Sequence, residues 1–214
     1  MIIEIGNQKG GAGKSTLSLS LANYLSIDIK CPVTVVDMDY QQSIIQKYEK
    51  AKLLENDEPY EVAPATLESF PLLKKRVFDP NPNQVILIDL PGKLDDDGLL
   101  EVFAAADLMI CPFAYDEFTF VSTVHFALVI KRLKPDMPLI FVPNRIKSNA
   151  KFEIMEEVNE QLAKLGTLTP MLPDRIDFQR ITTFQTPASL MPILIPVLET
   201  IYNAHIHGKY KITG

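Results

Sequence analysis

The chain has 214 residues, of which 47% are hydrophobic and 22% charged, and its formal net charge is −6. This composition excludes a disordered chain, and the acidic balance argues against a surface that is basic throughout, as in a protein that coats nucleic acid. No apolar run reaches the roughly 18 residues of a membrane-spanning helix, and the start of the chain lacks signal-peptide features, so we expect a cytoplasmic protein. The two cysteines, Cys31 and Cys111, are predicted to be buried free thiols.

Strands and helices alternate along the predicted secondary structure. The first part of the chain is predicted to form a strand over residues 1–7, a helix over 16–26, a strand over 32–39, a helix over 41–55, a weaker helix over 66–77 and a strand over 83–92. The rest is predicted to form a helix over 95–106, a strand over 107–114, a long helix over 116–134, a strand over 137–144, a helix over 150–166, a short strand over 167–172 and a final helix over 191–206. Prolines in the final helix are expected to be tolerated only near its start.

The predicted strands are apolar throughout and are separated by helices, which is typical of a parallel sheet covered by helices on both faces. Six strands are identified, and we expect about seven, with one more among the weaker segments. No repeat or linker interrupts the chain, so residues 1–214 are predicted to form one α/β domain. Its active site is expected at the carboxyl ends of the strands.

The stretch GNQKGGAGKST, residues 6–16, follows the first strand and opens the first helix. It is a variant of the phosphate-binding P-loop pattern G-x-x-x-x-G-K-[ST], with Gln8 in place of the first glycine and Lys9 before paired glycines, and it predicts a P-loop NTPase. Lys14 is predicted to contact the β- and γ-phosphates of a nucleotide, Ser15 to bind Mg²⁺ and Thr16 to contact the α-phosphate. The backbone N–H groups predicted to surround the phosphates are those of Gly10, Gly11, Ala12 and Gly13.

Acidic residues follow two of the predicted strands. Asp89 ends the strand in VILIDLPG, where a Walker B carboxylate holds Mg²⁺, and the backbone N–H of Gly92 is predicted to sense the γ-phosphate. Asp37 and Asp39 end the strand in VVDMD, and we predict that one orders the Mg²⁺ shell while the other polarises the attacking water. Turn or helix capping alone is the alternative interpretation of Asp89 and Asp39.

Together, the segments KGGAGKS, VVDMDYQQ and VILIDLPG resemble the deviant Walker A ATPases of the ParA/MinD group, over the whole chain. The resemblance implies an ATP-driven, Mg²⁺-dependent homodimer in which Lys9 reaches across to the partner's phosphates. It assigns Lys14 to phosphate binding and Ser15 to Mg²⁺. It assigns Asp37 to the metal's water shell and Asp39 to the attacking water. Lys9, Lys14 and Asp39 are therefore the implied catalytic residues.

The segment FVPNRI is similar to the family segment that contacts adenine, which implies that Asn144 and Arg145 bind the base. A turn residue that ends a strand is the other interpretation of Asn144. Two positions depart from the family pattern. Tyr40 stands where the family usually has proline, which bears on the rate of hydrolysis, and DLPG replaces D-x-P-P, which bears on the geometry of the γ-phosphate sensor.

Family members of the ParA type bind DNA non-specifically as ATP dimers and respond to a ParB-like centromere-binding protein. Residues 131–151 contain six basic residues against one acidic residue, Asp136, and such a local basic patch favours contacts with DNA phosphates. The basic residues are Lys131, Arg132, Lys134, Arg145, Lys147 and Lys151. A solvated helix end and loop is the other interpretation. The resemblance thus implies a DNA-partition ATPase associated with the nucleoid.

Three alternatives to DNA partition stay open. MinD-like proteins bind membrane through a C-terminal helix with basic residues on one face, but residues 190–206 contain no lysine or arginine, so we expect a packed final helix and no membrane contact. Small-molecule enzymes of the dethiobiotin-synthetase type share the architecture but usually lack a lysine equivalent to Lys9. A nucleotide-dependent assembly factor for another protein is the third alternative. His125, in an apolar helix, is predicted to be a core or interface residue.

Overall fold

The computed structural model describes residues 1–92, 98–147 and 155–208, and seven strands form one sheet. The strands are β1 (Ile2–Ile5), β2 (Val33–Asp37), β3 (Glu61–Pro64), β4 (Val85–Asp89), β5 (Leu108–Phe113), β6 (Leu139–Pro143) and β7 (Thr167–Leu168). Their spatial order is β3-β2-β4-β1-β5-β6-β7, and every neighbouring pair is parallel. The predicted α/β architecture with about seven mostly parallel strands is confirmed.

Helices connect the strands in the described part of the chain. The α-helices are α1 (Lys14–Asn23), α2 (Ser43–Leu53), α3 (Phe70–Leu73), α4 (Leu99–Ala105), α5 (Glu117–Leu133), α6 (Met155–Ala163) and α7 (Met191–Ile201). Turns of π-helix extend α1 through Tyr24–Asp28, α3 through Lys74–Phe78 and α7 through Tyr202–Ile206. The predicted residues 95–97 and 150–154 of two helices lie outside the described residues.

The sheet is covered on both faces. Ile3 and Ile5 of β1 belong to a core that includes buried residues of α1 and α7, whereas Ile2 belongs to a second core with residues of α3, α4, α5 and α6. This division follows from the alternation of side chains along a strand. It confirms the prediction of helices on both faces, and the two cysteines are buried and free, as predicted.

The sequence pattern did not identify β3, whose residues read EVAP. β3 is an edge strand, and its Glu61 and Pro64 are exposed, so it lacks the continuous apolar run of the central strands. Pro64 fits this position because an edge strand can lose one backbone donor without breaking the sheet. The predicted strand over 167–172 is shorter in the structure, where β7 has only two residues.

The final helix is packed, as predicted. Leu194, Val197 and Ile201 are buried in the core that contains α1. Pro196 lies inside α7, which corrects the expectation that prolines occur only near the start of this helix. Because Pro196 has no N–H, the carbonyl at position 192, in the first turn, loses its helical hydrogen bond. In the described residues, no helix has both the length and the hydropathy to cross a membrane.

Candidate functional site

The loop between β1 and α1 forms the centre of the site. Gly11 (φ 76°) and Gly13 (φ 90°) have left-handed backbone conformations, which glycine adopts without strain. The loop ends directly at the first turn of α1, where free backbone N–H groups favour an anion. The predicted P-loop therefore has the conformation that a phosphate-binding loop needs.

Asn7 fixes the start of this loop, and sequence reasoning did not single it out. Its buried side-chain amide donates to the carbonyl oxygen of Pro112 (2.9 Å) and to Thr123 Oγ1 (2.8 Å). Its Oδ1 accepts the backbone N–H of Lys9 at 3.0 Å. The loop is thus tied to β5 and α5 immediately before its glycines.

The two lysines of the loop lie in different environments. Lys14 is buried, with only 6% of its surface exposed, and its charge lowers the pKa of Asp89. Lys9 is exposed, and it lies near Asp116 at the start of α5. Burial acts to raise the pKa of the Asp116 carboxyl, but hydrogen bonds from Thr119 and the Lys9 charge outweigh it, and the net pKa is lowered.

Asp89, at the end of β4, is fully buried beneath the loop. Its Oδ2 accepts from Ser15 Oγ at 2.6 Å and its Oδ1 from Ser18 Oγ at 3.0 Å. Burial raises the pKa of Asp89 to about 7, and the charge of Asp37 raises it too, against the opposing effects of the two hydroxyls and Lys14. The structure therefore brings the predicted Walker B carboxylate to the predicted Mg²⁺-binding hydroxyl.

Asp37 and Asp39 lie next to each other, but they differ in role. Asp37 is buried at the end of β2, and its Oδ2 accepts the backbone N–H groups of Ile44 (3.0 Å) and Ile45 (3.1 Å), so it caps α2. Asp39 is half-buried, and its Oδ1 accepts the N–H of Gln41 at 2.8 Å. Helix capping, the alternative considered for Asp39, is therefore found at Asp37. Burial also raises the pKa of the Asp37 carboxyl.

The predicted metal ligands fit Mg²⁺ in a site that also contains phosphate. Mg²⁺ in nucleotide sites is usually bound through one or two carboxylates together with substrate phosphates and waters. Asp89 and Asp37 supply paired carboxylates and Ser15 a hydroxyl, at the phosphate end of the loop. In the part of the chain that the structure describes, no group of three or more His, Cys, Asp or Glu residues could hold a metal by itself. Phosphate oxygens would complete such a site.

Asn144 and Arg145 follow β6 and contact the phosphate loop. Asn144 Nδ2 donates to the carbonyl oxygen of Ala12, and Arg145 Nη1 donates to that of Gly11, both at 2.8 Å. Beside them is a cavity lined by Gly13, Thr16, Asn144, Arg145, Pro173, Asp174, Arg175, Phe178 and Gln179. Its residues 173–179 were not predicted, because they come from an irregular segment that includes the short 3₁₀-helix Ile176–Arg180.

A family model described as the CobQ/CobB/MinD/ParA nucleotide binding domain matches residues 3–187. The chain belongs to this family. The resemblance to the ParA/MinD group is confirmed, and the matched residues include the loop between β1 and α1. No curated protein matched the chain.

Solved structures share the fold of this ParA/MinD-type protein at low sequence identity. A Borrelia burgdorferi protein assigned to plasmid partition and bound to AMPPNP is 21% identical, with a TM-score of 0.72, and the match covers 95% of this chain and 98% of that chain. McdA from Cyanothece is 17% identical (TM-score 0.75, 95% and 98% covered), and MinD from Aquifex aeolicus is 16% identical (TM-score 0.71, 95% and 96% covered). These likenesses establish the fold.

Tyr40 and Gly92 belong to the two segments of this ParA/MinD-type protein that depart from the family pattern. Tyr40, which replaces the family's usual proline, is 83% exposed and lines a second cavity with Asp39. Gly92, the predicted γ-phosphate sensor, is half-buried two residues after Leu90, and a Cβ built on it would meet no atom within 4 Å.

The six basic residues predicted to form a patch do not share one surface in the described residues. Lys131, Arg132 and Lys134 lie at the end of α5, before β6, whereas Arg145 and Lys147 follow β6. A five-residue strand separates the two groups by about 15 Å. Three of these side chains also donate hydrogen bonds to backbone carbonyls: Lys131 to those of Pro135 and Met137, Lys134 to those of Ala104 and Ala106, and Arg145 to that of Gly11. Lys151 lies outside the described residues.

His125 is exposed on α5, between the exposed Val121 and Leu128. The core alternative predicted for His125 is therefore wrong, because the apolar residues around it in the sequence include a solvent-facing row as well as a buried one. The interface alternative stays a prediction.

Proposed function

We propose that this chain is an Mg²⁺-dependent ATPase that switches between a monomer and an ATP-bound homodimer and drives DNA partition of a plasmid, mobile element or chromosome region. The observation that carries the proposal is the contrast between the two lysines of the loop. Lys14 is buried beside Asp89, where it serves the nucleotide site of its own chain. Lys9 is exposed, and so it is available to a second chain.

Within one chain, the site supplies most of the groups that phosphoryl transfer to water needs. The glycine loop and Lys14 balance the charge of the triphosphate, and Asp89, Asp37 and Ser15 are placed to hold Mg²⁺, which neutralises charge on the phosphates. Asp39 is half-buried, so solvent reaches its carboxylate, which orients the attacking water and accepts its proton.

Between chains, Lys9 supplies the missing positive charge. An ammonium group brought to a triphosphate in a closed interface, away from bulk water, stabilises developing charge more strongly than it would in solvent. In the monomer, Lys9 lies near the Asp116 carboxylate, which compensates its charge until the partner's phosphates replace it.

The proposed cargo is DNA, bound non-specifically by the ATP dimer on the nucleoid, with a ParB-like centromere-binding protein as the stimulating partner. The packed α7 supports this choice over a membrane-bound positioning ATPase, because its apolar face is used in the core. The second candidate is a positioning ATPase for a protein cargo, which the division of the basic residues around β6 favours.

Size-exclusion chromatography with and without Mg-ATP tests the switch. We expect wild type to dimerise with ATP, Lys14→Ala to lose ATP binding, Lys9→Ala to bind ATP as a monomer, and Asp39→Ala to persist as a dimer. A wild type that stays monomeric while it binds ATP would contradict the switch.

Co-sedimentation with DNA tests the cargo. Binding of wild type to DNA with ATP but not ADP, lost in Lys9→Ala, supports DNA partition. Indifference to DNA with either nucleotide contradicts it and leaves the protein-cargo candidate, while ATP-dependent binding to anionic liposomes would point to a membrane role.

A further inference from the structure

We propose that Asn144 and Arg145 are positioning residues for the phosphate loop, in addition to any contact that they make with a base. They hold the carbonyl groups of Ala12 and Gly11 away from the phosphate position, so that the N–H groups of Ala12 and Gly13 face it. The proposal rests on the proposed nucleotide binding at this loop and assigns these two residues to the triphosphate.

Asn144 is fixed by hydrogen bonds on three sides. Its backbone N–H donates to the carbonyl of Phe113 at 2.7 Å, and its Oδ1 accepts the backbone N–H of Arg145 at 2.9 Å. Its Nδ2 donates to the carbonyl of Ala12, and only 8% of the residue is exposed. The amide therefore lies against the loop, and the bond from Oδ1 to Arg145 sets which end of the amide faces Ala12.

Arg145 reaches the loop through an unusual backbone conformation. Its φ is 60°, in the left-handed region, which is strained for a residue other than glycine. This conformation directs the side chain toward the loop, where Nη1 donates to the carbonyl of Gly11 at 2.8 Å and Nε lies 3.9 Å from Asp174 Oδ1. The strained residue thus makes one contact with the phosphate loop, at Gly11, and one with Asp174 beside it.

The planarity of the peptide bond connects these contacts to phosphate binding. In a trans peptide the C=O and the following N–H point in opposite directions. Arg145 binds the carbonyl of Gly11, so the N–H of Ala12 points away from Arg145. Asn144 binds the carbonyl of Ala12, so the N–H of Gly13 points away from Asn144. Consecutive N–H groups on one side form an anion-binding nest, and a nest ordered in advance binds more tightly.

Gly13 fits this arrangement closely. A Cβ at position 13 would overlap Nδ2 of Asn144, so glycine is needed for the amide to reach the loop as well as for the backbone φ of 90°. A Cβ added at Gly11 would have Nη1 of Arg145 as its nearest neighbour, at 3.6 Å. The two positioning side chains and the two left-handed glycines therefore pack as one unit.

Calorimetric titration with inorganic tripolyphosphate and with ATP, both with Mg²⁺, separates this role from recognition of the base. We expect Asn144→Ala and Arg145→Ala to weaken the affinity for both ligands by the same factor, about tenfold, because each loses a buried or charged hydrogen bond. Arg145→Lys, which retains a donor, should recover part of the affinity for tripolyphosphate. Arg180→Ala is the matched control and should leave both affinities unchanged, since Arg180 is exposed, lies outside the cavity lining and pairs through its guanidinium with Asp177.

An unchanged tripolyphosphate affinity in both alanine variants overturns the proposal, and a loss confined to ATP assigns the residues to the base. Arg145 is exposed, so its substitution should leave the fold intact, and thermal unfolding by circular dichroism checks this. If wild type binds tripolyphosphate and the variants bind it with the same affinity, the positioning role alone is refuted. A wild type that binds neither ligand refutes the proposed function as well.

Discussion

Asp37 and Asp89 are paired across neighbouring strands, at the carboxyl ends of β2 and β4. Both residues are buried. Burial is the main cause that raises the pKa of Asp89, and the negative charge of Asp37 raises it further. Two carboxylates held this close to each other away from water favour either a proton or a cation between the strands. The stability of the metal-free chain should therefore depend on pH.

The free energy of unfolding of the metal-free chain should fall as pH rises from about 4 to 7. Burial raises the pKa of Asp89 from 3.8 to about 7, so between these values the folded chain keeps a proton that the unfolded chain has released. The stability is complete below the unfolded pKa and is lost by the time pH passes the folded pKa. At about 1.4 kcal/mol per pKa unit, the loss is about 4 kcal/mol. Urea denaturation in EDTA at several pH values measures it.

Asp89→Asn should remove this part of the pH dependence, because the amide does not titrate. The exposed residue Asp57 provides the control, and Asp57→Asn should keep the wild-type pH profile. If the free energy of unfolding has the same slope against pH in wild type and Asp89→Asn, Asp89 is ionised in the folded chain over this whole pH range.

Glu4→Met should stabilise the protein at pH 7. Glu4 is fully buried in β1, and neither carboxyl oxygen has a hydrogen-bond partner among the described residues. Burial raises its pKa well above 4.5, although the Lys134 charge opposes this, so wild-type stability falls as pH rises above 4.5. Removing an unsatisfied buried polar group should add about 1–3 kcal/mol to the free energy of unfolding measured in urea. Glu61→Met, at an exposed edge position, should change it by less than about 0.5 kcal/mol, and a less stable Glu4→Met would contradict the argument.

The central sheet could be predicted from the sequence because its signals are local. A strand such as β4 is buried on both faces and reads as a continuous apolar run, and the loop before Lys14 carries its glycines at fixed spacing. The edge strand β3 has no such run, and its place is decided by pairing with β2, which the sequence does not display. Edge strands of this kind need tertiary information.

The parts of the site that sequence reasoning missed depend on contacts between distant residues. Asn7 orders the loop through Thr123, which is 116 positions away, and Arg145 meets Asp174 only because β6 and the segment after β7 end at the same edge. The predicted basic patch was wrong for the opposite reason, because basic residues that are close in sequence are separated in the structure by β6. Only the motifs whose chemistry is complete within a few residues could be read directly.

Gly13→Ala should destabilise the chain in the absence of nucleotide. The substitution places a side chain at a φ of 90° and against the Asn144 amide, so it costs of order 1 kcal/mol in backbone conformation and also displaces a buried hydrogen bond. Gly10→Ala is the matched control, because a Cβ there meets no atom within 4 Å. Thermal unfolding of both variants should show a lower midpoint for Gly13→Ala alone, and equal midpoints would exclude the close approach of Asn144.

Ser15→Ala and Ser18→Ala should differ in their dependence on Mg²⁺. Both hydroxyls donate to Asp89, so both variants lose a hydrogen bond that lowers the pKa of Asp89. Ser15 follows Lys14 in the loop, whereas Ser18 is buried one turn further into α1 and also donates to the Lys14 carbonyl. Titration of Mg²⁺ at constant ATP, followed by calorimetry, should show about tenfold weaker Mg²⁺ binding in Ser15→Ala and little change in Ser18→Ala. Equal losses in the two variants would mean that the hydroxyls act on Mg²⁺ only through Asp89, and the direct metal role of Ser15 would be wrong.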